Sequence, residues 1–104
     1  MSLRTLLLAL AVLGLPLAAR GQGLDPLRAQ GLRCVQGADV ATSCKPFLET
    51  AHRLKNRAEA AKRWRCYSAL LGYEAQVIAA AAARSPQPLD AADAELSAEC
   101  EPIR

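Results

Sequence analysis

Residues 65–83 read RCYSALLGYEAQVIAAAAA, and this stretch decides the predicted fold. It contains one acidic residue, Glu74, and no proline. Alanine and leucine are among the strongest helix formers, so the stretch predicts one long helix. Its larger apolar residues follow two adjoining lines at helical spacing: Cys66, Leu70, Tyr73, Val77 and Ala80 on one, and Tyr67, Leu71 and Ile78 on the other. So wide an apolar face is typical of the central helix of a bundle, covered from more than one side.

The rest of the chain predicts three further helices and no strand. Asp25 has the chemistry of an N-cap and predicts the start of a first helix. Asn56 followed by Glu59 resembles a capping box, so we expect a turn there, with the second helix before it and the long helix over about residues 57–83. A last helix starts at Asp90, after a proline-containing breaker. The predicted fold is therefore a small all-α bundle of about four helices.

The N-terminus has the pattern of a secretory signal peptide. A basic residue, Arg4, precedes an apolar run and then small residues, which is the typical order in such leaders. We expect cleavage after Gly21, which gives a signal peptide of residues 1–21 and one domain of residues 22–104. The alternative is an uncleaved membrane anchor, but the apolar run from Leu6 to Ala19 has only 14 residues, short of the ~20 that span a bilayer. We therefore expect cleavage, and no stable membrane insertion of the mature chain. The predicted location is secreted or periplasmic.

The mature chain would retain all four cysteines of the sequence. An even number in a short exported chain predicts disulfides, and the spacing lacks the paired knuckles of a zinc site. If the second and third helices fold back at Asn56, Cys44 and Cys66 lie at similar heights, so we favour the pairs Cys44–Cys66 and Cys34–Cys100. The alternative is Cys34–Cys44 with Cys66–Cys100.

The charges are close to balanced but are segregated along the chain. Thirteen basic and ten acidic residues give +3, and removal of Arg4 and Arg20 leaves 11 against 10, or +1. This balance and the absence of a binding motif argue against nucleic acid as a partner. Residues 45–65 hold seven basic side chains, and residues 85–104 hold five acidic ones. We expect the acidic last helix to lie near the basic hairpin and partly neutralise it; the alternative is a cationic patch for an anionic partner.

Trp64 stands among basic residues and is the main candidate for a binding residue. Because the chain has only four aromatic residues, we expect the indole to lie in the core, with cation–π neighbours. The alternative is a surface anchor, since tryptophan and arginine are enriched at binding hot spots. In that case the binding residues would be Trp64 with Arg57, Arg63 and Arg65.

No catalytic or cofactor pattern stands out in the sequence. The single histidine, His52, has no nucleophile three or four positions away on its helix, so we expect a solvated side chain. Glycine-rich phosphate loops and Cys-x-x-Cys pairs are absent from the sequence, and we expect neither a metal nor a cofactor.

Three functions compete. The first is a non-catalytic protein-binding module of inhibitor, immunity or assembly-factor type, whose partner is another exported or envelope protein. The second is a carrier of a small apolar ligand or lipid between the helices. The third is a cationic peptide acting on membranes through residues 45–65, which the charge of the mature chain disfavours.

Overall fold

In the computed structural model, residues 23–84 and 89–102 are described, and they form helices joined by turns, with no strand in these two ranges. Residues 23–36 form α1. The other helices are α2 (Val40–Ser43), α3 (Lys45–Ala60), α4 (Trp64–Ala83) and α5 (Asp90–Cys100). The predicted all-α bundle with one long helix is confirmed, and the single turn α2 is an addition to it. The predicted signal peptide, residues 1–21, lies outside the described residues.

Helix α4 is the centre of the bundle. Both α3 and α5 pack against it. All five members of its first predicted apolar line, from Cys66 to Ala80, are at most 4% exposed. The second line lies at the edge of the core: Tyr67 and Ile78 are partly buried, while Leu71 is 43% exposed. The apolar spacing of the sequence therefore identified the buried side of α4 correctly, and one side of the helix faces solvent.

The turn between α3 and α4 lies later in the chain than Asn56, so the predicted turn position was wrong. Asn56 is an exposed residue inside α3, which ends at Ala60. The amide of Lys62 donates to the carbonyl of Glu59 at 3.0 Å, and the amide of Arg63 donates to the carbonyl of Ala58 at 2.8 Å. These two bonds define a Schellman motif. Its left-handed position is held by Lys62 at φ 57°, where glycine is usual, so the sequence carried no stop signal there.

The disulfides join Cys34 to Cys44 and Cys66 to Cys100. The favoured pairing, Cys44–Cys66 with Cys34–Cys100, was wrong, and the alternative is the one observed. The error follows from the turn position. Cys44 precedes the first residue of the 16-residue helix α3, and Cys66 follows that helix closely, so the two cysteines lie ~20 Å apart at its opposite ends. We call Cys34–Cys44 the α1 disulfide and Cys66–Cys100 the α5 disulfide.

Helix α1 covers another side of the core. Leu24 and Leu27 are at most 2% exposed. Gly31 lies close to α3 and α4, since a Cβ there would be 3.3 Å from the ring of Phe47 and 3.4 Å from the hydroxyl of Tyr73. Asp25 was expected to cap α1, but residue 23 is already helical, so Asp25 lies within the helix and the capping prediction was wrong.

Candidate functional site

Trp64 is the first residue of α4 and is 57% exposed. The expectation of a core tryptophan was wrong. Trp64 precedes Tyr73 by nine positions, or two and a half helical turns, so it points away from the side of α4 that Tyr73 buries. The aromatic core is formed instead by Phe47 and Tyr73, whose ring centroids lie 6.0 Å apart.

The exposed indole has an aromatic neighbour one turn along the helix. The ring centroids of Trp64 and Tyr67 lie 6.2 Å apart at an interplanar angle of 68°. An edge-to-face contact of this kind is favourable beyond the burial of area. It limits the rotamers of the indole, so Trp64 is presented to solvent in a defined orientation.

A cleft of about 410 Å³ lies beside the indole. One wall consists of Trp64, Arg65 and Ser68 on α4, and the other of Glu95 and Glu99 on α5. The cleft therefore offers an aromatic face, one positive charge and two negative charges within a small area.

Arg63 holds the two walls together. Its guanidinium donates to the backbone carbonyl of Glu99 at 3.1 Å and to that of Pro102 at 2.9 Å. Carbonyls at the C-terminal end of a helix have no partner within the helix, so a cation there is favourable. Two residues beyond Trp64, the α5 disulfide joins the same helices. Arg63, one of the four predicted binding residues, thus links the start of α4 to the end of α5 and does not line the cleft.

The other two arginines of the predicted binding set are exposed. Arg65 lines the cleft, and Arg57 lies in the last turn of α3. Among the described residues, neither they nor Lys62 form a salt bridge. Within residues 23–84 and 89–102, the basic hairpin has one ion pair, Lys55 with Glu74 at 2.8 Å.

The acidic last helix was expected to lie near the basic residues 45–65 and partly neutralise them; α5 does pack against α4, but among the described residues no salt bridge joins α5 to the basic segment. Two acidic residues, Asp93 of α5 and Glu101 just after it, pair instead with Arg28 of α1, at 2.6 and 3.7 Å. Glu95 and Glu99 share a cleft with Arg65 but form no salt bridge with it. The surface beside Trp64 therefore carries charges of both signs.

Glu95, Glu99 and Ser68 were not identified from the sequence. Glu95 and Glu99 are four positions apart on one face of α5, which is a visible signal. Their proximity to Trp64, however, depends on the α5 disulfide, because that bond sets which end of α5 meets the start of α4. With the other pairing favoured, the cleft could not be predicted.

His52 is exposed on α3. In the described ranges no group of three His, Cys, Asp or Glu side chains is arranged to hold a metal ion, and all four cysteines form disulfides. None of the described helices is long and apolar enough to cross a bilayer. Compared with known proteins, the chain matches no family model and no curated protein or solved structure significantly.

Proposed function

We propose that the protein is a small non-catalytic binding module of inhibitor, immunity or assembly-factor type, and that Trp64 is the anchor for its protein partner. The observation that carries this proposal is the 57% exposure of an indole on a rigid part of the fold. Few interface residues supply most of a binding energy, and tryptophan and arginine are enriched among them. Here Trp64 and Arg65 are adjacent.

The rigidity of the surroundings supports the proposal. The α5 disulfide, the bonds from Arg63 to α5 and the contact with Tyr67 all lie within one turn of Trp64. A residue that is already ordered before binding loses little entropy on association. Most of the free energy gained by burying the indole is therefore available for binding, because little of it offsets a loss of side-chain entropy.

The size of the effect follows from the exposed area. If an aromatic side chain buries up to ~250 Å², the exposed 57% is about 140 Å². At ~25 cal/mol per Å², complete burial would contribute at most about 3.5 kcal/mol, or roughly 300-fold in Kd.

The predicted leader and the two disulfides support action in the periplasm or the extracellular space, because disulfides persist in oxidising compartments. The partner would then be another exported or envelope protein. The second function considered, a carrier that encloses an apolar ligand, finds less support, because side chains at most 1% exposed, such as Phe47, Leu70 and Val77, already fill the positions between the helices.

Crosslinking in the native compartment, followed by identification of the partner and measurement of its Kd, tests the proposal. We expect Trp64→Ala to raise the Kd by roughly a hundredfold, within the upper bound of roughly 300-fold that the exposed area sets. The matched control is Leu48→Ala, which removes another exposed apolar residue, on α3, and should leave Kd unchanged. Both variants should retain the helical circular dichroism signal. An unchanged Kd for Trp64→Ala, or an exported protein that crosslinks to nothing, would overturn the proposal.

A further inference from the structure

A second depression lies on the other side of α5, between α1, α4 and the start of α5. Its volume is about 310 Å³, at the lower end of the range of ligand sites. Leu32 and Val35 of α1 and Leu89, which precedes α5, form its apolar walls. Leu32 is 57% exposed, so a large apolar side chain stands open at the rim. We call this depression the α1 groove.

Tyr73 is the residue of α4 that lines the α1 groove. The side chain is 96% buried, with 4% exposed, and its hydroxyl reaches α1 beside Gly31. Within the described ranges, this hydroxyl forms no hydrogen bond with another residue. No buried side-chain nitrogen or oxygen of the described residues lacks a hydrogen-bond partner, so this hydroxyl is not an orphaned buried group, and Tyr73 contributes to the groove as one of its lining residues.

Acidic groups dominate the rim of the α1 groove. Asp90 and Asp93 line it, and the nearby basic side chain, Arg28, is already engaged. Its Nε lies 2.6 Å from Asp93, and its Nη1 lies 3.6 Å from Asp25 and 3.7 Å from Glu101. Three carboxylates thus surround one guanidinium, and Asp90, the other carboxylate of the rim, forms no ion pair within the described residues. The field at the rim favours a cation.

We propose that the α1 groove binds a small hydrophobic ammonium compound. The apolar body of the ligand lies against Leu32, Val35 and Leu89, and the ammonium group lies beside Asp90. This site is separate from the Trp64 cleft and does not depend on the function proposed for that cleft.

The test uses two probes of similar size and opposite charge, phenethylamine and 3-phenylpropionate. Each is titrated into the purified exported protein at neutral pH while backbone amide shifts are followed by NMR. We expect saturable shifts for the amine, centred on Leu32 and Asp90, with a Kd on the order of 1 mM for so small a ligand. The carboxylate should bind at least about tenfold more weakly, because the rim repels it. Higher salt should weaken binding of the amine and reduce the difference in Kd between the two probes.

Two variants locate the charge that selects the probe. Asp90→Asn should raise the Kd for phenethylamine about two- to fivefold, as expected for the loss of one exposed ion pair. The matched control is Glu59→Gln, which removes an exposed carboxylate on α3 and should leave the Kd unchanged. Trp64→Ala should bind the amine normally, which separates this result from a failure of the function proposed above. Equal binding of both probes, shifts centred elsewhere, or an unaffected Asp90→Asn would overturn the proposal.

Discussion

The position of the turn between α3 and α4 can be tested by substitution at Asn56. If Asn56 lies inside α3, its replacement by alanine should raise the free energy of unfolding; if Asn56 is an N-cap, the same replacement should lower it. Asn56 is an exposed residue inside α3, although the sequence pattern marks it as an N-cap. The left-handed residue that ends α3 is Lys62. We therefore consider Asn56→Ala and Lys62→Gly as a pair, with the free energy of unfolding as the measured quantity.

Asn56→Ala is expected to stabilise the protein. In an exposed helix interior, asparagine is ~0.5 kcal/mol less favourable than alanine, so the free energy of unfolding should rise by about that amount. If Asn56 were an N-cap, the same change would remove a capping bond and lower the stability by ~1 kcal/mol. The two readings therefore differ by ~1.5 kcal/mol.

Lys62→Gly is also expected to stabilise the protein. A left-handed conformation costs a residue with a Cβ ~1–2 kcal/mol, and glycine avoids most of this cost. Glycine loses ~0.5–1 kcal/mol more in entropy on folding, so the net gain is about 0.5–1 kcal/mol. Lys62→Ala is the control, because it removes the charge and the long side chain but keeps the Cβ. It should change the stability little.

Urea denaturation of the unreduced protein, followed by the helical circular dichroism signal, measures both effects. With a slope of ~1 kcal/mol per molar, each stabilising variant should move the midpoint up by about 0.5 M or more. A destabilised Asn56→Ala, or a Lys62→Gly no more stable than Lys62→Ala, would show that the helices meet elsewhere in the chain.

Two further predictions concern the disulfides and alkaline pH. Replacing both cysteines of the α5 disulfide by alanine should lower the free energy of unfolding by about 4 kcal/mol, and the same change in the α1 disulfide by about 3 kcal/mol. The difference follows from loop entropy, because the α5 disulfide joins residues 34 positions apart and the α1 disulfide residues 10 positions apart. A larger loss for the α1 disulfide in urea denaturation would contradict this. Burial raises the pKa of Tyr73, with Asp93 acting in the same direction and Arg28 against it. The folded state therefore favours the neutral phenol, whose stabilising effect is complete below about pH 10 and is lost as the pH rises through the folded pKa. Tyr73→Phe should reduce this alkaline loss, whereas the control Tyr67→Phe should not, and equal losses would rule out the assignment to Tyr73.

The helical fold was predictable because its main signal is local. The spacing of Cys66, Leu70, Tyr73 and Val77 repeats at helical steps, and the core needs no other information to orient α4. The end of α3 was not predictable in the same way. A left-handed residue at a helix end is usually glycine, so Lys62 did not indicate that α3 ends there. Asn56 and Glu59 match the sequence pattern of a capping box, but in the fold Asn56 lies inside α3.

The candidate sites depend on tertiary information that the sequence lacks. Trp64 was expected inside because aromatic residues are scarce, but Phe47 and Tyr73 meet that need between α3 and α4. The predicted disulfide pairing depended on the predicted turn position, which was wrong. Because the α5 disulfide was not predicted, the proximity of Glu95 to Trp64 could not be predicted either. The α1 groove combines residues from three helices, and no local pattern marks such a combination.

The α5 disulfide has a consequence for processing of the chain. It joins Cys66 in the first turns of α4 to Cys100 at the end of α5, so the backbone between these helices is not the only covalent link. A protease that cuts after Arg84 would produce two polypeptides that remain one molecule until a reductant reaches the bond. The cut would leave the helices on both sides of the Trp64 cleft joined, so we expect the nicked form to keep that surface. A reducing gel would nevertheless separate the two polypeptides and show the protein as degraded.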